Sequence, residues 1–149
     1  MTIRPATADD MPRVLQLICE LAEFEREPEA VVITADDLIR DGFGAQPLFQ
    51  CIVAEADGNI TGMALFYYRY STWKGKTVHL EDLIVTKSMR GKGIGEKLFN
   101  RVLEHGQQQG VRRIEWNVLD WNIDAIRFYE KAGAKVLDDW RVVHYDLKI

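Results

Sequence analysis

The sequence contains little of several features that mark specialised classes of protein. Its 149 residues include only two cysteines, Cys19 and Cys51, and these have no CxxC or metal-like spacing. They indicate free thiols, which we expect to be buried, rather than a disulfide framework or a zinc site. The longest unbroken apolar run, 63–68, has six residues, whereas a membrane-spanning helix needs roughly 20. We therefore expect no membrane-spanning segment and no membrane partner.

The sequence also contains fewer basic residues than acidic ones. The 19 lysines and arginines are outnumbered by 23 aspartates and glutamates, which gives a formal net charge of −4. The field of the whole chain therefore offers no general attraction to nucleic acid, and we expect no nucleic-acid partner. The first residues contain no apolar stretch of signal-peptide length and include Asp9 and Asp10. These features predict a cytoplasmic protein.

Core-forming residues, by contrast, are plentiful. Hydrophobic residues make up 47% of the chain and aromatic residues 10%, which is typical of an ordinary globular protein. A chain of this length fits one domain with one core. We therefore predict a single domain over residues 1–149.

Local patterns predict a mixed sheet with helices. Ser/Thr-type helix caps, glycine turns and changes between helical and period-two spacing mark the element boundaries. The predicted elements are a strand at 3–5, helices opening at Thr7 and Thr34, strands 48–56, 60–70, 77–85, a helix from Ile94, a strand near 113–118, a helix after Asn122 and a last strand over 135–147. The order β-α-α-β-β-β-α-β-α-β indicates an α/β protein of α+β type, with an antiparallel meander followed by βαβ connections.

Three glycines at alternate positions follow the strand that ends near Val85. Gly91, Gly93 and Gly95 allow a tight turn whose backbone N–H groups favour an anion, and a helix N-terminus follows directly. The segment 87–101 carries five basic residues against Glu96, a local charge of +4. The loop lacks a Walker A lysine and the third glycine of a dinucleotide-binding fold, so ATP and NAD are disfavoured. A plain turn with a solvated charge cluster remains the alternative.

The loop resembles a known sequence motif. Residues 90–95, Arg-Gly-Lys-Gly-Ile-Gly, resemble the acyl-CoA pyrophosphate loop R/Q-x-x-G-x-G/A of the GNAT superfamily of N-acetyltransferases. Segments 3–7, 41–44, 80–82 and 122–133 resemble the spermidine/spermine branch, which includes thialysine acetyltransferases. The resemblance implies the GNAT fold, acetyl-CoA as co-substrate and a homodimer. We predict no metal, because His79, His105 and His144 are scattered and fit no metal spacing.

The same resemblance implies a coenzyme site. Backbone groups of Leu83, Ile84 and Val85 would bind the pantetheine arm. The residues implied to cradle the pyrophosphate are Arg90, Gly91, Lys92, Gly93, Ile94, Gly95 and Glu96. Asn122, Ala125 and Tyr129 would flank the remainder of the coenzyme.

Acetylation of an amine also needs proton transfer. An alkylamine with pKa near 10.4 costs about 4.6 kcal/mol to deprotonate at neutral pH, so a base or proton path is expected. The resemblance implies that Glu81 takes this proton through water and that Asp82 holds a cationic part of the acceptor. Period-two geometry sends these two neighbours to opposite faces unless a bulge intervenes. The resemblance makes Tyr129 the general acid for the leaving thiolate. A solvent-facing carboxylate pair and a core tyrosine are the structural alternatives.

The acceptor side is acidic. Residues 20–29 carry five glutamates against Arg26, a local charge of −4, which suits a cationic acceptor, although a solvated helix end is equally compatible. Phe24 stands where family members often have tyrosine. The residues implied to line a polyamine-like channel are Phe24, Glu25, Trp73, Glu81, Asp82, Trp116, Asp138 and Trp140. Three scattered histidines fit no metal spacing.

We therefore predict transfer of an acetyl group from acetyl-CoA to a primary amine. The acceptor would be a small cationic molecule, namely a polyamine, a diamine or a lysine- or thialysine-like amino acid, and it would attack directly in a ternary complex. Two alternatives stay open. One is acetylation of protein N-termini or lysines, because the coenzyme half of a fold does not choose the acceptor, and the other is a CoA-binding module without catalysis.

Overall fold

A five-stranded mixed sheet with strand order β1-β2-β3-β4-β5 organises most of the chain. The strands are β1 (Thr2–Pro5), β2 (Gln50–Ala56), β3 (Asn59–Ser71), β4 (Gly75–Val85) and β5 (Ile114–Glu115). Neighbouring strands from β1 to β4 are antiparallel, whereas β5 is parallel to β4. The predicted meander followed by a βαβ connection is confirmed.

The computed structural model describes residues 1–149, which divide into two compact units, Met1–Asn117 and Val118–Ile149. The first unit contains the sheet and the helices α1 (Met11–Phe24), α2 (Ala35–Phe43) and α3 (Ile94–Gln108). The second unit contains the helix α4 (Ile123–Lys131). A single domain over 1–149 stays a prediction. No helix has both the length and the apolar character that a membrane crossing requires.

Helix starts follow the predicted caps. At α2 the Thr34 hydroxyl accepts from the Asp37 backbone N–H at 3.2 Å, and the Asp37 carboxylate accepts from the Thr34 N–H at 2.9 Å. Thr7 and Asp10 form a second capping box, which opens a short 3₁₀ turn leading into α1. These reciprocal bonds satisfy N–H groups that have no partner inside a helix.

The two faces of the sheet are covered by different helices. Met11, Val14 and Leu17 of α1 pack with Leu38 of α2 on one face, in a cluster that includes Leu65 of β3. The next residue of β3, Phe66, contacts the His105 ring of α3, with ring centroids 5.0 Å apart. Because neighbouring strand residues point to opposite faces, α3 covers the other side of the sheet.

Two predictions from local pattern were wrong. Residues 132–149 contain no helix or strand, so the predicted last strand at 135–147 is absent and the element order lacks its final β. Period-two spacing cannot supply the neighbouring strand that a ladder requires. Cys19 is exposed, because it lies off the buried stripe of α1, whereas Cys51 in β2 is buried as predicted.

Candidate active site

A β-bulge in β4 places the two predicted acidic residues. Leu65 of β3 pairs with Asp82 and the next residue, Phe66, pairs with Leu80, so Glu81 has no partner on β3. The extra residue interrupts the alternation that would otherwise send Glu81 and Asp82 to opposite faces. The exception stated from the sequence, that a bulge would interrupt the opposite-face geometry of these two residues, therefore applies here.

Three carboxyl groups lie within electrostatic range of one another. Burial raises the pKa of Asp82 to about 7, and the negative charges of Glu81 and Glu25 add to the effect. Glu25 caps the C-terminus of α1, and its pKa is raised by burial and then by the charge of Glu81. Like charges in a partly buried site favour a bound proton or a bound cation. This carboxyl cluster, Glu25, Glu81 and Asp82, is therefore a place for positive charge.

The carboxyl cluster does not have the arrangement of a metal site. No group of histidine, cysteine, aspartate or glutamate side chains in the chain has an arrangement that could hold a metal ion. That the protein needs no metal stays a prediction.

Tyr67 of β3 completes the surroundings of Glu81. The Tyr67 hydroxyl donates a hydrogen bond to Glu81 Oε1 at 3.1 Å. Burial raises the pKa of Tyr67, and the nearby Glu81 charge and this hydrogen bond raise it further, so the hydroxyl keeps its proton. Tyr67 could not be recognised from the sequence, because its approach to Glu81 depends on the strand register and on the bulge.

The end of β4 has an open edge on the side away from β3. β5 pairs with β4 only at Val78 and His79. The Thr86 backbone N–H donates to Thr61 O at 2.8 Å and so points towards β3. By the alternation of strand backbone groups, Leu83 and Val85 direct their N–H and C=O groups away from β3, where β5 does not pair with them. Ile84 is buried and pairs with Met63.

The glycine loop connects this edge to α3. Gly91 and Gly93 have φ angles of 78° and 79°, and Gly93 caps α3. A side chain at either position would meet nothing within 4 Å, so their left-handed backbone, and not lack of space, requires glycine. Gly95 differs, because its φ is ordinary and an added Cβ would lie 3.7 Å from Val85 Cγ2. The two left-handed positions are therefore Gly91 and Gly93, and the part of all three glycines in holding the pyrophosphate stays a prediction.

Charged residues surround the loop. Lys92 is exposed, and Glu96 is exposed in the first turn of α3, while Ile94 is buried and anchors that turn. The Arg90 guanidinium donates from Nε to Val85 O at 2.9 Å, and its Cζ lies 5.6 Å from the centre of the Phe24 ring. A residue predicted for the acceptor and a residue predicted for the coenzyme therefore meet at the end of α1.

Two predicted tryptophans lie elsewhere in the first unit. Trp73 is 77% exposed in the turn between β3 and β4. Trp116 is half-buried, and its ring packs edge-on against buried Phe99 of α3, with centroids 5.3 Å apart. This contact gives Trp116 a packing role on the α3 face, and its part in acceptor binding stays a prediction.

The second unit holds the other predicted residues. The Asn122 side chain accepts from the Ala125 N–H at 3.3 Å and caps α4, the helix predicted to follow it. Tyr129 lies in α4 and its ring packs edge-on against Phe128 at 5.4 Å. Asp138 and Trp140 are exposed in the segment without helix or strand.

Comparison with known proteins decides the family. Residues 11–134 match the acetyltransferase (GNAT) family. The chain belongs to this family. The resemblance and the fold class predicted from the sequence are thereby confirmed, and the chain is an acetyltransferase of a family that uses acetyl-CoA as co-substrate.

Relatives of this GNAT chain act on amines. Thialysine N-epsilon-acetyltransferase of Bos taurus is 40% identical over 145 residues, which cover 92% of this chain and 85% of the relative. A human spermidine/spermine N(1)-acetyltransferase-like protein 1 is 37% identical over 97% of this chain and 22% of its own length. An aminoglycoside acetyltransferase from an uncultured soil metagenomic sample, solved with sisomicin, has a TM-score of 0.79 at 18% identity, covering 99% of this chain and 96% of that one. The last likeness concerns the fold alone.

Proposed function

We propose that this acetyltransferase transfers the acetyl group of acetyl-CoA to a primary amine of a small acceptor with more than one positive charge. The observation that carries the proposal is the carboxyl cluster of Glu25, Glu81 and Asp82 at the bulge of β4. The acceptors named for the similar proteins, thialysine and the polyamines, are amines of this kind. A cation at the cluster would lower the pKa of Asp82 and stabilise its charged form.

The coenzyme would lie along the open end of β4. The outward backbone groups of Leu83 and the outward N–H of Val85 are suited to a strand-like ligand, which the pantetheine arm with its two amide groups resembles, while the Val85 carbonyl accepts from Arg90. The pyrophosphate would bind at Gly91–Gly93 and the N-terminus of α3, where backbone N–H groups and the helix dipole favour an anion. Lys92 adds an exposed positive charge there.

The acceptor nitrogen loses two protons in the reaction, and the leaving sulfur gains one. Glu81 is exposed and would accept the proton of the attacking ammonium through water. The free amine attacks the thioester carbonyl, the N–C bond forms and the C–S bond breaks. The leaving thiolate would take a proton from the Tyr129 hydroxyl, and the second proton lost by the nitrogen would restore that hydroxyl through solvent.

The carboxyl cluster also separates this proposal from its alternatives. Acetylation of a protein N-terminus requires a site for one ammonium group, whereas three carboxyl groups exceed the charge of one ammonium. A CoA-binding module without catalysis gives no reason for a buried carboxyl group with a pKa of about 7. The acceptor is therefore a diamine, a polyamine or a lysine-like amino acid.

Glu25→Gln tests the proposal. If Glu25 holds a distal ammonium, the wild type acetylates a diamine with higher kcat/KM than a monoamine of equal length, and the variant loses most of that preference. A charge-assisted contact is worth about 1.5 to 3 kcal/mol, so the loss is roughly 10- to 150-fold. Glu23→Gln, an exposed neighbour on α1, is the control and keeps the preference. An unchanged preference in Glu25→Gln contradicts the assignment.

We also propose that the protein is a homodimer. The segment 135–149 exposes apolar side chains at alternate positions, including Val143, Tyr145 and Leu147, which are 87%, 89% and 76% exposed. Several exposed apolar side chains within one short segment are typical of an interaction site. A second copy would supply the neighbouring strand that this segment lacks. Light scattering of the wild type and of a Val143→Glu, Tyr145→Glu variant distinguishes a dimer from a monomer.

A further inference from the structure

Glu20 has a role different from that of the other glutamates in the acidic run 20–29. It lies one turn after Leu17, a fully buried residue that anchors α1 to the sheet. Its carboxylate reaches the segment that joins β4 to the glycine loop, 66 residues further along the chain. Oε2 accepts a hydrogen bond from Thr86 Oγ1 at 2.9 Å, and Oε1 accepts from the Lys87 backbone N–H at 2.8 Å.

These two bonds fix the point where the loop begins. Lys87 opens the 3₁₀ turn Lys87–Met89, and the first N–H groups of such a turn have no partner within it. Thr86 does not cap this turn with its own side chain, so Glu20 takes the place of a local cap. The Thr86 N–H bonds Thr61 of β3, so this residue is held by the sheet and by α1 at once.

The same carboxylate lies beside the arginine of the loop motif. Glu20 Oε1 is 3.7 Å from Arg90 Nη2, and Arg90 Nε donates to Val85 O. Glu20 therefore contacts both ends of the segment 86–90. The negative charge of Glu20 opposes the positive potential with which the loop would attract an anion. Its contacts with Thr86, Lys87 and Arg90 give a structural reason for a carboxylate at this place.

We propose that Glu20 is a positioning residue for the coenzyme. It holds the loop in the binding conformation before the coenzyme binds. The free-energy cost of ordering the loop therefore does not reduce the affinity for the coenzyme. The inference rests on the proposed placement of the pyrophosphate at Gly91–Gly93. It adds a residue outside the glycine motif whose effect falls on coenzyme affinity alone.

Two pairs of variants test the inference. Glu20→Gln keeps both hydrogen bonds, because its amide oxygen accepts from Lys87 N–H and its NH₂ group donates to the Thr86 hydroxyl. Glu20→Leu removes both bonds at similar size. Thr86→Ser keeps the hydroxyl, whereas Thr86→Val removes it. Glu23→Leu, on the exposed side of the same helix, is the control for the added apolar group.

The readouts are the Kd of acetyl-CoA by calorimetry, kcat at saturating acetyl-CoA, the acceptor KM and Tm. We expect Glu20→Leu to raise the Kd by about fivefold or more and Thr86→Val to raise it less, with Glu20→Gln and Thr86→Ser within about twofold of wild type. The acceptor KM and kcat stay unchanged, and Glu23→Leu matches wild type.

Results of two kinds would overturn the inference, and a further result would overturn the proposed function. A Glu20→Leu variant with lowered Tm but unchanged Kd would make the contact purely structural, and if that variant does not fold, an unchanged Kd in Thr86→Val leads to the same conclusion. An equal rise in Kd for Glu20→Gln and Glu20→Leu would show that the hydrogen bonds to Thr86 and Lys87 do not account for the effect on coenzyme affinity. Wild type that binds no acetyl-CoA would instead contradict the proposed function itself.

Discussion

Replacing Asp82 with asparagine should stabilise the protein at high pH and not at low pH. Asp82 has a pKa of about 7, raised from an ordinary value of 3.8 by burial and by the charges of Glu81 and Glu25. Between these two pH values the folded state holds a proton that the unfolded chain has lost. The contribution of Asp82 to stability is therefore greatest at low pH and is lost as the pH rises through the folded pKa.

The size of the effect follows from the width of that window. Each pKa unit corresponds to about 1.36 kcal/mol, so the wild type loses about 3 kcal/mol of unfolding free energy through Asp82 between pH 4.5 and pH 8. Asp82→Asn has no proton to lose and does not undergo this change. The difference in stability between the variant and the wild type should therefore shift by about 3 kcal/mol in favour of the variant over that range.

Urea unfolding of both proteins at pH 4.5, 6 and 8 measures this difference. The comparison cancels the titrating groups outside the carboxyl cluster, since both proteins contain them. Glu55→Gln, which removes a carboxylate paired with Arg4 of the edge strand β1, is the control for loss of a carboxylate outside the cluster. Parallel stability curves for the wild type and Asp82→Asn would show that Asp82 titrates normally and would refute the electrostatic description of the cluster.

Three further changes test separate parts of the account. Tyr129→Phe should keep the Kd of acetyl-CoA within a few-fold and lower kcat by roughly 100-fold or more, the usual scale for a positioned acid; unchanged kcat removes Tyr129 from the mechanism. Glu81→Gln should slow the reaction most at neutral pH and recover as the pH rises, and a pH–rate profile parallel to wild type would limit Glu81 to positioning. Gly93→Val places a β-branched residue at a φ of 79°, at a strain of about 1 to 3 kcal/mol, and should weaken acetyl-CoA binding. Gly58→Val, at a φ of 77° in the β2–β3 turn, should lower Tm similarly without weakening binding, and equal binding by both variants would contradict the assignment of the loop.

Features that depend on neighbours in the sequence were predictable. The capping box of Thr34 and Asp37, the turn at Asp57–Gly58 and the passage from β4 through the glycine loop into α3 each involve residues a few positions apart. These features are caused by cap hydrogen bonds and by left-handed backbone conformations, and both depend on residue type and on spacing along the sequence. The GNAT resemblance rests on such segments.

Features that depend on distant residues were not predictable in the same way. The bulge at Glu81 is a property of the β3–β4 register, and the hydrogen bond from Tyr67 follows from it. Glu20 forms hydrogen bonds with Thr86 and Lys87, which lie 66 and 67 positions further along the chain. The count of charges in residues 20–29 had instead assigned Glu20 to the acceptor side. The missing last strand has the same cause, because the ladder partner of a strand cannot be deduced from its own period-two pattern.

The central claim is that the carboxyl cluster selects an amine with a second positive charge. The direct test measures thiol release from acetyl-CoA by the wild type with a diamine and with a monoamine of equal length, under identical conditions. The account predicts a kcat/KM for the diamine that is roughly 10-fold or more above that for the monoamine, the scale of one charge-assisted contact. Equal values for the two amines would contradict it.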